Sequence, residues 1–376
     1  MMKDNPLLKL RTFGQSIWMD YISRHMITSG ELLRLVEEDG ISGVTSNPAI
    51  FEQAIARSHD YDDAIRSMAI AGKTPEEIYE ALTIEDVQTA ADVLRPTFEK
   101  LAGQDGFVSL EVNPHLAHNT EGAITEARGL WAALHRPNVF IKVPATVEGL
   151  PAIRQLISDG IHVNVTLLFG LPRYEEVADS YISGLEERAA TGKPINKVTS
   201  VASFFLSRID VLVDALLEKI VAAGGREAGI AAGLRGQVAI ASAKVAYSMY
   251  GKIFAGERFQ RLAAKGAAPQ RVLWASTSTK NPDYSDLKYI EPLIGPATIN
   301  TMPVETINAY RDHGDPASRL EEGVKEAVEV LAHLADLHID IDEVTQQLED
   351  EGVEKFNKPF DNLMSALEAK RRSATS

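Results

Sequence analysis

One lysine stands inside an apolar segment, and its surroundings suggest covalent chemistry. Lys142 lies in the run VFIKVP at 139–144, between Ile141 and Val143. A lysine is almost never fully buried without a partner or a chemical purpose. Because burial favours the neutral form of an amine, a buried lysine is a natural nucleophile toward a carbonyl carbon. The resulting Schiff base draws electrons from the neighbouring C–C bond, so we expect neither a metal nor a cofactor.

Two carboxylates occupy similar apolar runs. Asp20 lies in IWMDYI at 17–22 and Glu111 in VSLEV at 108–112. Schiff-base chemistry needs groups that move protons to and from water and hydroxyls, and these carboxylates are available for it. The alternative is a structural ion pair of Lys142 with Asp20 or Glu111, which is a costly arrangement in a protein interior.

Polar residues also mark the ends of other strand-like segments: Thr45, Asn47, Asn164, Thr166, Ser203 and Ser276. Each alone is most simply a turn or helix-cap residue. Taken together they predict an active site, because catalytic residues of barrel enzymes come from the carboxyl ends of several strands.

A metal site is the competing interpretation of one cluster. Glu111, His115 and His118 have side chains that suit zinc. The dipeptide Asn113-Pro114 breaks the strand between them, so the three side chains do not share one face. We expect both histidines on the surface, and no metal.

Strand-like and helix-like segments alternate along the chain, which indicates a parallel sheet with helices outside it. The predicted strands are Ser16–Ile22, Ile41–Thr45, Phe107–Val112, Val139–Val143, Val163–Leu168, Lys197–Ser203, Arg271–Ser276 and Thr298–Met302. Eight such units predict an α/β fold, a single (β/α)₈ TIM barrel domain over residues 1–376. Helical additions are expected near 54–100, 226–268 and 319–370, and residues 371–376 as a frayed tail. A doubly wound fold is disfavoured because no glycine-rich dinucleotide or phosphate-loop motif occurs.

Composition limits the class of protein. The chain has 38 Lys plus Arg against 53 Asp plus Glu, a formal charge of −15, and no cysteine. This balance disfavours nucleic acid as a partner, because phosphate contacts need a basic face. The absence of cysteine excludes disulfides and thiolate metal sites. No apolar run long enough for a signal peptide or membrane span is present, so we expect a cytoplasmic protein with no membrane partner.

Five segments, in order, resemble the motifs of transaldolases, the last of them those of the longer bacterial subgroup. They are GVTSNP at 43–48, VFIKVPAT at 139–146, NVTLLF at 164–169, SFFLSR at 203–208 and WASTSTKNP at 274–282. The resemblance runs from about Gln15 to Tyr310. It implies a class I aldolase-type barrel of the pentose phosphate pathway, which transfers a dihydroxyacetone unit from sedoheptulose 7-phosphate to glyceraldehyde 3-phosphate. The implied products are erythrose 4-phosphate and fructose 6-phosphate, and the implied partners are small sugar phosphates.

The same resemblance implies a role for each matching residue. Lys142 forms the Schiff base and Asp20 exchanges the C4 hydroxyl proton. Glu111, through a water and Thr166, moves protons while the carbinolamine forms and is lost. The remaining implied roles are substrate contacts: Thr45, Asn47, Asn164 and Ser203 to hydroxyls of the three-carbon unit, and Arg208 and Ser276 to phosphate.

One position departs from the family pattern. Other subgroups have an arginine two residues after the Ser276 position, where this chain has Ser278. Lys280 is the nearest cation and is a candidate replacement, although a solvated loop charge is the simpler interpretation. Arg208 likewise has a simpler alternative, a surface helix residue paired with a nearby aspartate, Asp210 or Asp214.

Two other functions stay open at this point. A related sugar-phosphate aldolase releases free dihydroxyacetone, but it usually has glutamine at the Glu111 position and tyrosine at the Phe205 position, so these substrate-site residues favour transfer. A non-catalytic barrel scaffold is disfavoured by an intact lysine with both carboxylates. The sequence leaves a homodimer open, and the C-terminal helices could cover the site or form an interface.

Overall fold

Eight parallel strands close into a barrel in the order in which they occur in the chain. The computed structural model describes residues 5–375. Each strand pairs with the next, and the eighth pairs with the first, so the predicted (β/α)₈ barrel is confirmed. The strands are β1 Gln15–Asp20, β2 Gly43–Thr45, β3 Phe107–Glu111, β4 Val139–Pro144, β5 Val163–Leu168, β6 Ser200–Phe205, β7 Arg271–Ala275 and β8 Thr298–Met302.

Helices surround the barrel and fill the long connections. They are α1 Pro6–Leu10, α2 Arg24–Thr28, α3 Glu31–Glu38, α4 Pro48–Phe51, α5 Asp62–Ile70, α6 Pro75–Lys100, α7 Thr120–Leu134, α8 Gly149–Asp159, α9 Leu171–Ala190, α10 Ser207–Ala223, α11 Arg226–Leu234, α12 Val238–Ala255, α13 Glu257–Ala263, α14 Val304–His313, α15 Val324–Asp336 and α16 Ile341–Thr375. Short 3₁₀ turns at Arg11–Phe13, Pro114–Leu116 and Glu291–Leu293 and a π turn at Glu52–Ala56 complete the set.

Most strands differ from the prediction by one or two residues at an end, and two begin clearly later than predicted for local reasons. Strand β2 begins at Gly43 rather than Ile41, and a Cβ atom at Gly43 would lie 2.3 Å from the Trp18 ring. Only glycine lets β2 approach β1 this closely. Strand β6 starts at Ser200 because the backbone N–H of Val198 turns back to the carbonyl of Ile195.

The three predicted additions are helical, and the last is longer than expected. The predicted frayed tail is wrong through Thr375, because α16 continues to that residue. Glu368 pairs with Arg371 at 2.8 Å and with Arg372 at 2.6 Å, and such pairs three and four residues apart support a helix end.

Helix α16 lies across the carboxyl end of the barrel. It packs against α5, α6, α10 and β5. Along its length, Gly352 approaches Leu167, whose Cδ2 would lie 3.0 Å from a Cβ at that glycine. Asp361 is within 2.7 Å of His115, and Lys370 within 2.7 Å of Asp62. The helix is therefore held by contacts from Gly352 to Lys370.

Within the described part of the chain, residues 5–375, no helix has the length and apolar character needed to cross a bilayer.

Candidate active site

Because side chains alternate along each strand, two charged residues of the predicted site lie directly above a layer of aromatic rings. Trp18, Phe107 and Phe140 meet inside the barrel, with ring centroids 4.4 Å apart for Phe107 and Phe140 and 6.0 Å apart for Trp18 and Phe140. Side chains two residues along a strand point the same way. Asp20 and Lys142 follow the first and last of these rings by two residues, so both face the carboxyl end of the barrel.

A cavity of about 270 Å³ opens at that end. Nine of the twelve predicted site residues line it: Asp20, Thr45, Asn47, Lys142, Ser203, Phe205, Arg208, Ser276 and Lys280. The other three, Glu111, Asn164 and Thr166, are buried behind its wall.

Lys142 is buried in contact with two groups from neighbouring strands. Its Nζ atom donates to the carbonyl oxygen of Ser46 at 3.1 Å and lies 3.7 Å from Oε2 of Glu111. The side chain is 5% exposed, so the amine is reached only from the cavity. The ion pair that the sequence offers as a structural alternative therefore exists with Glu111.

Glu111 has an unusual electrostatic environment for a carboxylate. Burial raises its pKa to about 7, the charge of Lys142 opposes this, and Asp20 adds to it. Neither carboxylate oxygen of Glu111 has a hydrogen-bond partner, and the same holds for the buried hydroxyl of Thr166. Buried polar atoms without partners usually mark a catalytic role or a bound water. A group that titrates near neutral pH is suited to exchanging protons there.

Thr166 lies where the sheet is irregular. The register of β5 against β6 shifts between Val165 and Leu168, and Leu167 has a positive φ of 54°. A bulge of this kind redirects a side chain and occurs often beside active sites.

Asp20 is held by a chain of hydroxyls. Thr45 Oγ1 donates to Asp20 Oδ1 at 2.6 Å, and it lies 2.7 Å from Thr301 Oγ1. Burial raises the pKa of Asp20, while the charge of Lys142 and the Thr45 hydrogen bond oppose that effect. The carboxylate is thus fixed in orientation at the cavity wall.

The amide residues are partly engaged by the protein. Asn47 caps α4, since its Oδ1 accepts from the N–H groups of Ala49 at 3.0 Å and Ile50 at 3.1 Å. The cap interpretation and the site interpretation both apply, because Asn47 still lines the cavity and its amide N–H group is not used by the cap. Asn164 accepts from Ser203 Oγ at 2.7 Å and therefore orients that hydroxyl from behind.

Cations also line the cavity. Arg208, in the first turn of α10, has a buried Nη1 without a hydrogen-bond partner, and its guanidinium carbon lies 5.7 Å from the centroid of the Phe205 ring. It is not the partner of Asp210 or Asp214, whose carboxylates accept from Tyr289 and Tyr284 respectively.

Lys280 and Ser276 line the cavity as well. Lys280 Nζ donates to Ser278 Oγ at 2.6 Å, so the lysine lies beside the residue that replaces the family arginine. Ser276 has a positive φ of 53°, and its hydroxyl lies 2.9 Å from that of Ser207 at the start of α10. Held backbone conformations of this kind concentrate at functional sites.

Sequence reasoning missed five residues of the site: Ser46, Thr301, Glu305, Lys355 and Phe356. The last two come from α16 and line the cavity, and the Phe356 ring centroid is 5.8 Å from Lys142 Nζ. Nothing in the local pattern of α16 signals this contact, because it joins positions more than 200 residues apart. Thr301 had a detectable signal, a polar residue near the end of the eighth strand.

The residues of the alternative metal site lie apart. His115 and His118 are exposed and contact Asp361 at 2.7 Å and Glu148 at 3.0 Å. Across residues 5–375, no three His, Asp or Glu side chains come together in a way that could hold a metal ion.

Comparisons with known proteins agree on one family. The transaldolase/fructose-6-phosphate aldolase family model matches residues 17–367, which extends past the region of motif resemblance to include most of α16. A relative named Transaldolase 2 from Nostoc sp. is 50% identical over 371 residues, covering 97% of each chain. A transaldolase from Trichodesmium erythraeum is 49% identical over the full length of both chains, and one from Thiobacillus denitrificans is 48% identical over 354 residues, covering 94% of this chain and 97% of the relative.

Proposed function

The chain belongs to the transaldolase/fructose-6-phosphate aldolase family, and from this premise we propose that it is a transaldolase. It transfers a dihydroxyacetone unit from sedoheptulose 7-phosphate to glyceraldehyde 3-phosphate, giving erythrose 4-phosphate and fructose 6-phosphate. The observation that carries the proposal is the buried Lys142 amine, 3.7 Å from Glu111 and open to the cavity.

The first stage is Schiff-base formation. Lys142 gives up a proton to Glu111 and its free amine attacks the C2 carbonyl of the donor. The carbinolamine then loses its hydroxyl as water, which needs a proton that Glu111 can return. Its pKa near 7 lets this group take and give a proton at similar cost. The unpartnered hydroxyl of Thr166 is placed to hold the water that connects them.

The second stage is cleavage of the C3–C4 bond. Asp20 takes the proton of the C4 hydroxyl, the C4–O bond becomes a carbonyl, and the bonding electrons move into the iminium to give an enamine. The aldose product leaves. The enamine carbon attacks the acceptor aldehyde, and Asp20 returns the proton to the new hydroxyl. Thr45 keeps the carboxylate in one orientation through both half-reactions.

Hydroxyls of the three-carbon unit are held by Thr45, Asn47 and Ser203. Asn164 contributes from behind by fixing Ser203, and this support replaces the direct contact that the family resemblance implies. Because Asn47 Oδ1 caps α4, we assign its amide N–H group to the substrate.

Phosphate is held by the cations of the cavity. Arg208 offers a planar fork suited to phosphate oxygens, and Ser276 and the first turn of α10 add neutral donors. Lys280 takes the place of the arginine absent at Ser278. The two cations repel each other, and a sugar phosphate would relieve this repulsion.

We further propose a cytoplasmic enzyme that acts on small sugar phosphates and uses neither nucleic acid nor a membrane as partner. The net charge of −15 disfavours a polyanionic partner. A homodimer remains open.

One assay distinguishes this function from its alternatives. Fructose 6-phosphate should react only when erythrose 4-phosphate is present as acceptor, with sedoheptulose 7-phosphate as product. Release of free dihydroxyacetone without an acceptor would indicate the aldolase activity, and no reaction of either kind would indicate a scaffold.

Borohydride trapping tests the covalent step in the same preparation. Fructose 6-phosphate plus borohydride should add mass to the peptide that contains Lys142, and Lys142→Arg should abolish both adduct and transfer. An adduct on Lys280 or Lys244 would overturn the assignment.

A further inference from the structure

The cavity carries a surplus of positive charge in a strongly acidic protein. Its charged lining consists of four cations, Lys142, Arg208, Lys280 and Lys355, and two anions, Asp20 and Glu305. The chain as a whole carries −15. Since long-range potentials repel an anionic substrate, the cations that face the cavity must provide the local attraction.

Two of these cations, Arg208 and Lys280, lie close enough to repel each other, and the carboxylate of Asp20 acts on both. Burial lowers the pKa of Lys280, and the charge of Arg208 lowers it further. Burial also lowers the pKa of Arg208, with Glu351 and Asp20 opposing. A bound anion would therefore relieve the repulsion between the two cations.

Lys355 is the cation that α16 contributes to the cavity lining. It belongs to α16, which packs directly on α10, the helix that carries Arg208. The flanking residues fix its position, because Gly352 rests on Leu167 and Phe356 covers Lys142. Lys355 also lines an outer groove with His118 and Lys358, so it stands where the catalytic cavity meets the surface.

Lys355 pairs with an acidic neighbour, and both side chains are largely exposed. Its Nζ atom lies 2.7 Å from Oε2 of Glu351, one helical turn earlier. The pKa of Glu351 is lowered by hydrogen bonds from Lys355 and Gln347, and the charge of Arg208 lowers it further. Glu351 thus faces both cations and competes with any anion for them.

We propose that Lys355 is a phosphate-binding residue of this site, contributed by the C-terminal helix, and that it exchanges its partner Glu351 for the substrate phosphate. A phosphate monoester carries nearly two negative charges at neutral pH, so it can accept hydrogen bonds from a third cation in addition to Arg208 and Lys280. The inference rests on the proposed function, and it adds a residue that selects phosphorylated sugars.

The test compares three variants. Lys355→Met should weaken binding of inorganic phosphate, measured by titration calorimetry, and raise the KM for fructose 6-phosphate, each about tenfold. It should leave kcat and the KM for unphosphorylated fructose nearly unchanged. Lys358→Met removes the same charge from the same helix but from the outer groove only, so both values should change less than about twofold.

The direction in which Glu351→Gln changes phosphate affinity is the most discriminating result. If Glu351 competes with phosphate, its removal should tighten phosphate binding, by about two- to threefold. A merely structural role for the pair predicts the reverse, weaker binding. The inference is overturned if Lys355→Met and Lys358→Met behave alike, if Lys355→Met affects fructose and fructose 6-phosphate equally, or if Glu351→Gln weakens phosphate binding.

Failure of this inference can be separated from failure of the proposed function. The calorimetric titration needs no turnover, so it reports on Lys355 even if the wild-type protein transfers nothing. Conversely, normal transfer by Lys355→Met with unchanged phosphate affinity would remove Lys355 from the site and leave the transaldolase assignment intact.

Discussion

Lys142 and Glu111 face each other on adjacent strands at the same level of the barrel. Their Cα atoms are register partners, and Nζ lies 3.7 Å from Oε2, too far for a hydrogen bond but close enough for an ion pair. Neither carboxylate oxygen of Glu111 is held by another donor. A proton can therefore move between the two groups, directly or through a water, without breaking an existing network.

Glu111 should make the protein less stable as pH rises. Its folded-state pKa of about 7 exceeds the ordinary value of 4.5, so the folded protein binds this proton more tightly than the unfolded chain does. The resulting stability is complete below about pH 4.5 and is lost as pH rises through 7. With about 1.4 kcal/mol for each pH unit, the loss reaches roughly 3 kcal/mol.

Glu111→Gln should remove that component of the pH dependence. Denaturant unfolding of both proteins at intervals from pH 4.5 to 8.5 measures it as the change in the free-energy difference between them. A difference that stays constant across the series would contradict the assigned pKa.

Asp20→Asn should separate Schiff-base formation from C–C cleavage. The amide cannot take the C4 hydroxyl proton, so turnover should fall by roughly 10²–10⁴. The borohydride adduct with fructose 6-phosphate should persist, because Glu111 and Lys142 are unchanged. Trapping and turnover are followed in parallel, and an equal loss of trapping in Asp20→Asn and Glu111→Gln would show that the two carboxylates do not divide the work.

Arg208→Ala should impair phosphorylated substrates selectively. Loss of a charge-assisted contact of about 1.5–3 kcal/mol raises the KM for fructose 6-phosphate by roughly 10- to 100-fold, with little effect on fructose. Lys280→Ala should act in the same direction more weakly, because its single ammonium replaces a fork. The measurement is the ratio of kcat/KM for the two sugars. An equal effect on both would mean that Arg208 supports the fold.

Phe356→Leu should weaken the Schiff base while preserving the fold. The ring centroid lies 5.8 Å from Lys142 Nζ, at the outer range of a cation–π contact, so about 0.5–1 kcal/mol is expected from its loss. Borohydride trapping at limiting substrate should therefore slow two- to fivefold. Phe360→Leu is the matched control, since this ring packs edge-on against Tyr79 one turn later on α16. Equal slowing in both variants would assign the effect to helix packing.

Prolonged chelation should leave activity unchanged. The iminium of Lys142 supplies the electron sink that a metal ion would otherwise provide. Transfer activity is measured before and after dialysis against a strong chelator. Activity lost in this way and restored only by zinc would revive a role for Glu111 with His115 and His118.

The sequence predicts the barrel well because each strand is a local pattern. Val163–Leu168 and Thr298–Met302 are short β-branched runs bounded by turns, and both were predicted at their observed ends. Ser46 contributes only its backbone carbonyl to Lys142, so its residue type carries no signal. Asn164 is predicted to contact the substrate, and its oxygen accepts from Ser203 across the strand pair, a contact that depends on side-chain rotamers and has no signal in the sequence.

The C-terminal helix α16 shows what local sequence patterns cannot predict, namely the surface on which a helix packs. Its periodicity indicates a helix, yet the partner of its apolar face is fixed by contacts such as Gly352 with Leu167, far apart in the chain. Local patterning cannot rank the surfaces available to such a helix. The family match through residue 367 places the helix within the shared architecture but does not by itself assign a role to Phe356 or Lys355.

The position of α16 has a consequence for synthesis of the protein. All eight strands leave the ribosome before this helix, so the barrel can close while Lys142 is still uncovered toward solvent. Phe356 reaches Lys142 only when the helix docks. A nascent chain thus carries the Lys142 amine without its aromatic cover, and the contact with Phe356 forms in a final docking step, separate in time from formation of the barrel.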